Sequence, residues 1–491
     1  MHSGPDATDH SAPVPSRGRR GAFAIFALTA RGLQQVSTLV VTILAAGFLL
    51  PAEFGVYSLG IVFVTLIQTL TYTGFYHFVV TADGDEDAIL STTFWLIFGL
   101  ATASAFVLAL AAWPIAALYD AADLGPVLLL LAAIQPLAGA GAWYSAVLLR
   151  RGEVQRHVAI TFAQNLAALV GGVVLLWLWQ SLYALVAFRY IRVVSGTVLF
   201  AVFCAARPRR RFDRGLARRA SGFSGGLYGA RFLAFLSRYA GDLVLGIAFS
   251  VGEAGLYRFG ARIAGGATDI VAQPMRAFAL TQFGAAGRVG RPLAPVLDLF
   301  TGSLTLLTGG VAAVIVVFGA DVVALFFAPA YLAGLVVAYA LAARAMAAVG
   351  TVLIEPALAA ANRTGAVMVF NLGFAGASVA AVVVTAPFGL AALAWGQAAV
   401  ALSATLVALW MLHRAADIAV GGALRAFTLA CLLIAGYGVA LSVSRGWLTQ
   451  ALDLAGGGAL AAGLVWAALL ALPVLALAGR LRVFGLRAFS G

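Results

Sequence analysis

The strongest constraint on the fold is a series of apolar segments, each long enough to cross a lipid bilayer. A transmembrane helix needs about 20 consecutive apolar residues, and the 491-residue chain contains fourteen such segments separated by short loops. Only 10% of the residues are charged, against about 25% in soluble domains. The sequence therefore predicts an all-α, polytopic membrane protein with about 14 transmembrane helices. The predicted spans are 23–49, 54–80, 91–118, 126–149, 158–179, 182–205, 222–249, 254–280, 295–319, 332–360, 365–386, 388–412, 423–443 and 456–478.

The distribution of arginine, which supplies every basic residue other than histidine, predicts the topology. Loops that flank cytoplasmic ends of transmembrane helices carry an excess of Lys and Arg. Alternate loops and the C-terminal tail hold nearly all of the arginines outside the spans, while the opposite loops hold acids and one arginine, Arg445. We therefore expect both termini on the cytoplasmic side of a bacterial inner membrane. One loop disagrees, because Asp83, Asp85, Glu86 and Asp87 lie on the predicted cytoplasmic side.

A short internal repeat predicts how the helices are organised. Residues 53–60 read EFGVYSLG and residues 253–260 read EAGLYRFG, so that Glu, Gly, Tyr and Gly recur at an offset of 200. Six spans separate the copies, and parallel repeats of this kind are related by an axis along the membrane normal. We expect two pseudo-symmetric six-helix lobes and two additional helices. The predicted domains are a tail at 1–22, a first lobe at 23–206, a basic inter-lobe loop at 207–221, a second lobe at 222–413, two extra helices at 414–479 and a tail at 480–491.

Charged residues inside the predicted spans give the first indication of function. An arginine at the centre of a transmembrane helix costs on the order of 3 kcal/mol on insertion scales. The spans contain three acids, Asp242, Asp269 and Glu355, so most of the arginines exceed the acids that could pair with them. Structural pairs, such as Arg238 with Asp242, and snorkelling at helix ends are alternative explanations. The arginines within the spans are Arg31, Arg189, Arg192, Arg231, Arg238, Arg258, Arg262, Arg276 and Arg344.

The eighth span concentrates these charges on one face. Arg258, Arg262, Asp269 and Arg276 fall within a stripe about 40° wide at 100° per residue, together with Gly265. Such a face is best accommodated against a water-filled cavity. Guanidinium groups bind phosphate oxygens through paired hydrogen bonds, so the cavity is predicted to bind a phosphate or pyrophosphate group.

Weaker polar features have two explanations each. Glu355-Pro356 is expected to break the tenth helix and present a carboxylate, either as a coupling-ion site or as a kink facing protein. Glutamines such as Gln68 and Gln397 are expected either to contact sugar hydroxyls or to form hydrogen bonds between helices. The sequence contains no GxxxxGK[ST], HExxH or GxSxG motif and no metal-spaced Cys/His cluster. We therefore predict a protein that is not an enzyme and needs no cofactor or metal.

Four segments resemble a known family, and the most specific of them is FLSRYAGDLVLGIAFSVGEAGLYRFGARI at 235–263. The others are LLPAEFGVYSLG at 49–60, LLRRGEVQRHVAI at 148–160 and SLYALVAFRY at 181–190. They resemble segments of the Wzx-type oligosaccharide flippases, the polysaccharide biosynthesis proteins of the multidrug/oligosaccharidyl-lipid/polysaccharide exporter superfamily. Two departures are that Gln155-Arg156 stands where Phe-Lys is common, and that the segment 181–190 lacks the Trp of the family's W-A-L-V stretch.

The resemblance implies a flippase that moves a polyprenyl-pyrophosphate-linked oligosaccharide, such as an O-antigen, exopolysaccharide or capsule repeat unit, by alternating access. Polysaccharide polymerase, glycosyltransferases and membrane lipids are the expected partners, and nucleic acid is not. The alternatives are a lipid II-type flippase, a multidrug exporter of the same superfamily, and a non-transporting scaffold of envelope polysaccharide assembly. The coupling-ion candidates are Asp242, Asp269 and Glu355. The predicted substrate-binding residues are Arg31, Arg189, Arg192, Arg231, Arg238, Arg258 and Arg262.

Overall fold

A computed structural model describes residues 40–41, 43–71, 73–361, 363–451 and 456–485. Within these ranges the regular elements are helices, and no strand is found. The α-helices are α1 (Pro51–Thr71), α2 (Thr73–Thr81), α3 (Glu86–Leu118), α4 (Leu124–Ala133), α5 (Gln135–Arg150), α6 (Val154–Trp179), α7 (Leu182–Phe203), α8 (Arg214–Ala248), α9 (Val251–Arg288), α10 (Ala294–Phe326), α11 (Leu335–Ala347), α12 (Val349–Ala360), α13 (Thr364–Thr385), α14 (Leu390–Ala416), α15 (Gly421–Ala451) and α16 (Gly456–Arg480). Two short 3₁₀ helices cover Pro329–Gly334 and Ala386–Phe388.

Eleven stretches of the described chain are long and apolar enough to span a membrane. The pairs α1–α2 and α4–α5 each form one such stretch, as does the segment Pro329–Ala360. Helices α8 and α9, with 35 and 38 residues, exceed the length of about 20 residues that a span requires, although their charges lower their hydropathy. The prediction of an all-α, polytopic membrane protein is confirmed. The first predicted span, 23–49, lies mostly outside the described residues, and fourteen spans are consistent with the helices that are described.

The two C-terminal helices pack on the second half of the chain. Helix α15 lies along α10, and α16 contacts both of them. Arg445 of α15 pairs with Asp321 of α10, donates a second hydrogen bond to the carbonyl oxygen of Val317 at 2.8 Å, and lies over the ring of Phe318. The arginine that departs from the predicted charge pattern is therefore held by a carboxylate of the same predicted face of the membrane.

The acidic loop that disagrees with the predicted topology also has a structural explanation. The basic inter-lobe segment packs against it, with Arg209 2.7 Å from Asp87 and Arg211 3.0 Å from Asp85. The carbonyl of Arg209 accepts a hydrogen bond from the indole N–H of Trp95 at 2.9 Å. Arginines therefore pair with three of the four acids, Asp85, Glu86 and Asp87, so the acidic loop is compatible with a cytoplasmic position. We call this end of the helical bundle the linker end.

Helix α8 packs against elements from both predicted lobes. The hydroxyl group of Tyr228 donates to the carbonyl oxygen of Thr71 at 2.8 Å, and its ring contacts Phe75 edge to face. Further along, α8 packs against α13 of the second half. The first turns of α8 therefore share a core with α2 and α5, and the domain boundaries given above remain a proposal.

Candidate functional site

The recurring glutamate of the internal repeat begins a helix in both copies. The backbone N–H of Leu50 donates to Oε2 of Glu53 at 3.0 Å, and the N–H of Ser250 donates to Oε2 of Glu253, also at 3.0 Å. Around Ser250 the bonds form a capping box, because its hydroxyl oxygen accepts from the N–H of Glu253 at 3.2 Å. A glutamate that reaches back in this way satisfies one of the unpaired donors of the first helical turn. The repeat therefore encodes two equivalent helix starts, for α1 and α9.

The first recurring glycine brings those two helix starts together. A Cβ atom added to Gly55 would lie 2.2 Å from the carbonyl oxygen of Val251, and one added to Gly255 would lie 1.8 Å from that of Pro51. Both values are far below any normal carbon–oxygen contact, so only glycine fits. Val251 follows Pro51 by the same 200 residues that separate the glycines. We call this quasi-two-fold contact of Pro51, Gly55, Val251 and Gly255 the corner contact, and this end of the bundle the corner end.

The second recurring glycine serves packing within each half. A Cβ atom on Gly60 would meet the side chain of Leu131 in α4 at 3.0 Å, and one on Gly260 would meet the backbone N of Ala338 in α11 at 2.8 Å. Helix α1 therefore lies close to α4, and α9 lies close to α11. Helices α4 and α11 each begin the fourth span of their own half. Small residues allow this close helix–helix approach inside membranes.

The recurring tyrosine marks the position where charged groups converge. Tyr57 interacts electrostatically with three guanidinium groups, those of Arg189, Arg192 and Arg262. We call Tyr57 and these arginines the cationic cluster. Tyr57 lies deep in the protein, yet part of its surface is accessible. Its side chain is therefore surrounded by protein without being fully enclosed.

Three helices position the cluster, and they come from both halves of the chain. Arg189 and Arg192 are three residues apart on α7 and so share one face of that helix. Arg262 lies seven residues beyond Gly255 on α9, which places its Cα about 10 Å along the helix from the corner contact. Among the described atoms, Nε of Arg189 is buried without a hydrogen-bond partner. The cluster therefore joins α1, α7 and α9, about two helical turns along α9 from the corner contact.

The polar stripe of α9 faces open space beyond the cluster. A Cβ atom added to Gly265, which lies on the stripe, would meet no heavy atom within 4 Å. Further along, Arg276 pairs with Glu355 of α12, and both side chains are about half exposed, at 54% and 53%. An exposed ion pair within a transmembrane helix requires water rather than lipid beside it. The stripe therefore has an open position at Gly265 and an exposed ion pair at Arg276.

The structure corrects one expectation, since the helix does not break at Glu355-Pro356. Helix α12 continues through Pro356 to Ala360, and the interruption of this span lies earlier, at Ala348. Pro356 removes one backbone donor, but the turns on either side of it pack in a buried apolar core. The carboxylate of Glu355 still emerges from the helix, where Arg276 neutralises it.

The remaining predicted site residues are less informative. Arg258 lies with its guanidinium carbon 5.2 Å from the ring centre of Tyr239, and Arg231 is exposed on α8. Asp269 is partly accessible on the stripe of α9. Arg31 lies outside the described residues, and although Arg238 and Asp242 belong to α8, their side chains are not among those described.

The glutamines form contacts between helices. Gln68 of α1 donates to Oε1 of Gln135 in α5 at 3.2 Å, and Gln397 of α14 donates to the carbonyl oxygen of Ser378 in α13, also at 3.2 Å. These bonds agree with the expectation that the glutamines form hydrogen bonds between helices. The residue that the sequence analysis missed is Tyr57. The signal for it was present, because Tyr57 is one of the four recurring residues of the repeat.

The fold resembles solved structures of membrane transporters. The structure of a lipid II flippase, MurJ, in an inward closed conformation matches with a TM-score of 0.73 at 11% identity, covering 94% of this chain and 99% of that one. An inward-facing multidrug resistance transporter of the MATE family and MOP superfamily matches with a TM-score of 0.62 at 14% identity, covering 80% of this chain and 98% of that one. At these identities the likeness concerns the fold.

The sequence itself matches a family model. Residues 43–286 match the family described as polysaccharide biosynthesis protein, a range that contains α1 to α8 and nearly all of α9. No curated protein matches the sequence at a significant level.

The chain is a multi-pass membrane protein with the fold of the lipid II flippase and the multidrug transporter described above. Over residues 43–286, nearly half of its length, its sequence is that of the polysaccharide biosynthesis protein family. The resemblance that the four sequence segments predicted is confirmed.

Proposed function

We propose that the protein is a flippase that moves a polyprenyl-pyrophosphate-linked oligosaccharide across the bacterial inner membrane by alternating access. The observation that carries this proposal is the cationic cluster, in which arginines of α7 and α9 converge on Tyr57. The family and the fold support a transporter of lipid-linked saccharides. The cluster supplies the chemistry that such a headgroup requires.

The arrangement of the cluster fits a pyrophosphate better than a single carboxylate. A pyrophosphate offers several anionic oxygens on two phosphorus atoms, and each guanidinium donates two parallel hydrogen bonds to such a group. Three arginines from two helices can therefore bind both phosphates at once, while the hydroxyl of Tyr57 donates one further hydrogen bond. Arg31, Arg231, Arg238 and Arg258 remain proposed contacts of the headgroup along its path. Asp242, Asp269 and Glu355 remain the proposed coupling-ion candidates.

The saccharide and the lipid tail would lie in different environments. The polar stripe of α9 gives the saccharide a wet surface, whereas the polyprenyl chain is as apolar as the membrane interior and stays there. An anion bound by arginines of both halves holds the halves together around it. Release on the opposite side requires that α1 and α9 separate at the corner end.

The experiment is a flipping assay in proteoliposomes with a fluorescent polyprenyl-pyrophosphate oligosaccharide. We expect the wild-type protein to transfer the lipid between leaflets, and the variant Arg192→Gln/Arg262→Gln to lower the rate at least tenfold. Arg425→Gln is the matched control, because Arg425 is exposed at the start of α15, outside the cluster. Equal flipping by wild type and the double variant would contradict the proposal.

The same assay distinguishes the alternative functions. Lipid II in place of the oligosaccharide lipid tests the function named for the structural match with a TM-score of 0.73. A cationic drug tests a multidrug exporter, which needs a negatively charged cavity rather than one with excess arginine. No transfer of any of these compounds by folded protein would favour the scaffold.

A further inference from the structure

The corner contact lies between the cationic cluster and the corner end of the bundle. Tyr57 follows Gly55 by two residues on α1, and Arg262 follows Gly255 by two helical turns on α9. The corner contact therefore lies next to the cluster on α1 and about 10 Å from Arg262 along α9.

Two further contacts join the first half of the chain to the second. Together with the corner contact, we call them the closure. The hydroxyl of Tyr331, in the 3₁₀ helix before α11, donates to the carbonyl oxygen of Leu49 at 3.0 Å, and Tyr331 is fully buried. A Cβ atom on Gly47 would lie 3.0 Å from the carbonyl oxygen of Phe326. The residues at 47–55 of the first half thus meet those at 251–255 and 326–331 of the second half along a continuous line.

The closure is built from backbone rather than from interlocking side chains. At Gly55 and Gly255 the two helices approach until each carbonyl oxygen occupies the place of the other's missing Cβ atom. Such approaches gain weak Cα–H···O contacts and dispersion energy only while the backbones touch. A displacement of about 1 Å loses a large part of that energy. The contact therefore switches between touching and separated.

We propose that Gly55 and Gly255 are positioning residues for translocation, which seal the cationic cluster from the corner end and set how often that seal opens. The three guanidinium groups of the cluster belong to both halves, two to α7 and one to α9. A side chain at either glycine separates the helices by more than an ångström and favours the state in which the cluster is open at the corner end.

The role of the two glycines in translocation rests on the proposed function. The seal itself does not, and it can be tested without a transported lipid. In a protein whose two cysteines, Cys204 and Cys431, are replaced by alanine, Tyr57→Cys supplies one thiol in the cluster. A membrane-impermeant maleimide is added to one side of sealed vesicles, and the labelling rate is measured from each side.

We expect Gly255→Ala to raise the labelling rate from the corner end about tenfold, and Gly55→Ala to act in the same direction. Tyr331→Phe, which removes one hydrogen bond of the closure, should raise the rate less. Gly373→Ala is the matched control, since an added Cβ there meets no heavy atom within 4 Å, and it should leave the rate unchanged.

The outcomes separate a seal from a merely structural role. If Gly255→Ala lowers thermal stability or yield without raising corner-end labelling, and Gly55→Ala and Tyr331→Phe also leave it unchanged, the inference is wrong. If labelling rises as expected while no lipid is flipped in the assay above, the seal stands and the proposed function fails.

Discussion

The two copies of the internal repeat, at 50–62 and 250–262, have the same backbone arrangement and different chemistry. Glu53 and Glu253 begin their helices through the same hydrogen bond at the same distance of 3.0 Å. Beyond the glycines the copies diverge, because Val62 is fully buried whereas its counterpart, Arg262, is partly accessible in the cationic cluster. The two copies therefore share the glutamates and glycines that begin and join their helices. They differ at the position that is Val62 in the first copy and Arg262 in the second.

The two halves also supply their positive charge from different helices. In the first half it comes from α7, through Arg189 and Arg192, and in the second half from α9, through Arg262. Helix α14, the sixth of the second predicted lobe, carries no arginine before Arg414. In the function proposed above, a cluster assembled from unequal positions would give a bound anion one orientation, which two identical halves could not provide.

The largest effect is expected from exchanging the residues at the divergent position. Val62→Arg places an unpaired guanidinium in a closely packed apolar site, which costs about 3–5 kcal/mol, so that little folded protein should be recovered in size-exclusion chromatography. Arg262→Val removes a charge that already lies beside the cavity, and should leave the yield of folded protein near that of wild type. Flipping by Arg262→Val should fall at least tenfold. Normal yield of Val62→Arg would mean that the first half also has a wet face at this position.

A smaller effect is expected from the hydroxyl group in the cluster. Tyr57→Phe should slow flipping about tenfold, because a hydrogen bond to a charged group contributes about 1.5–3 kcal/mol. Tyr437→Phe serves as the control, since its hydroxyl donates to the carbonyl oxygen of Ala467 between the two C-terminal helices. That variant should lose thermal stability and keep its flipping rate. An unchanged rate for Tyr57→Phe would remove this residue from the site.

The conserved part of the comparison predicts two equal losses of stability. Glu53→Ala and Glu253→Ala each remove the side chain that caps the start of a helix, and each should cost about 1 kcal/mol. Thermal unfolding of the purified variants measures both. A clear difference between the two would show that the copies are equivalent in geometry but not in energy.

The smallest effect is expected at the linker end, where exposed ion pairs attach the inter-lobe segment to the first half. The side chains of Arg209 and Asp87 are 69% and 53% exposed, and exposed pairs contribute about 0–1 kcal/mol. A double-mutant cycle with Arg209→Gln and Asp87→Asn should give a coupling energy in that range, decreasing with added salt. A coupling well above it would indicate that the linker end is as tightly closed as the corner end.

Much of the fold followed from the sequence because long helices are decided locally. Apolar length alone located the spans, because a stretch of about 20 apolar residues is enough to specify a transmembrane helix. The pair Arg276–Glu355, in contrast, joins residues 79 positions apart on two helices. Helical periodicity placed Arg276 on the stripe of α9 but contained no information about which helix α9 would face.

The sequence by itself determined that this chain crosses a membrane many times, that it contains two related corners, and that arginine exceeds acid within its spans. Those properties follow from composition, spacing and the cost of charge in lipid. Only the tertiary structure decided that Gly55 and Gly255 meet, and that Tyr57 lies among arginines of α7 and α9. These contacts depend on how separate helices pack, because residues up to about 200 positions apart become neighbours only when the halves come together.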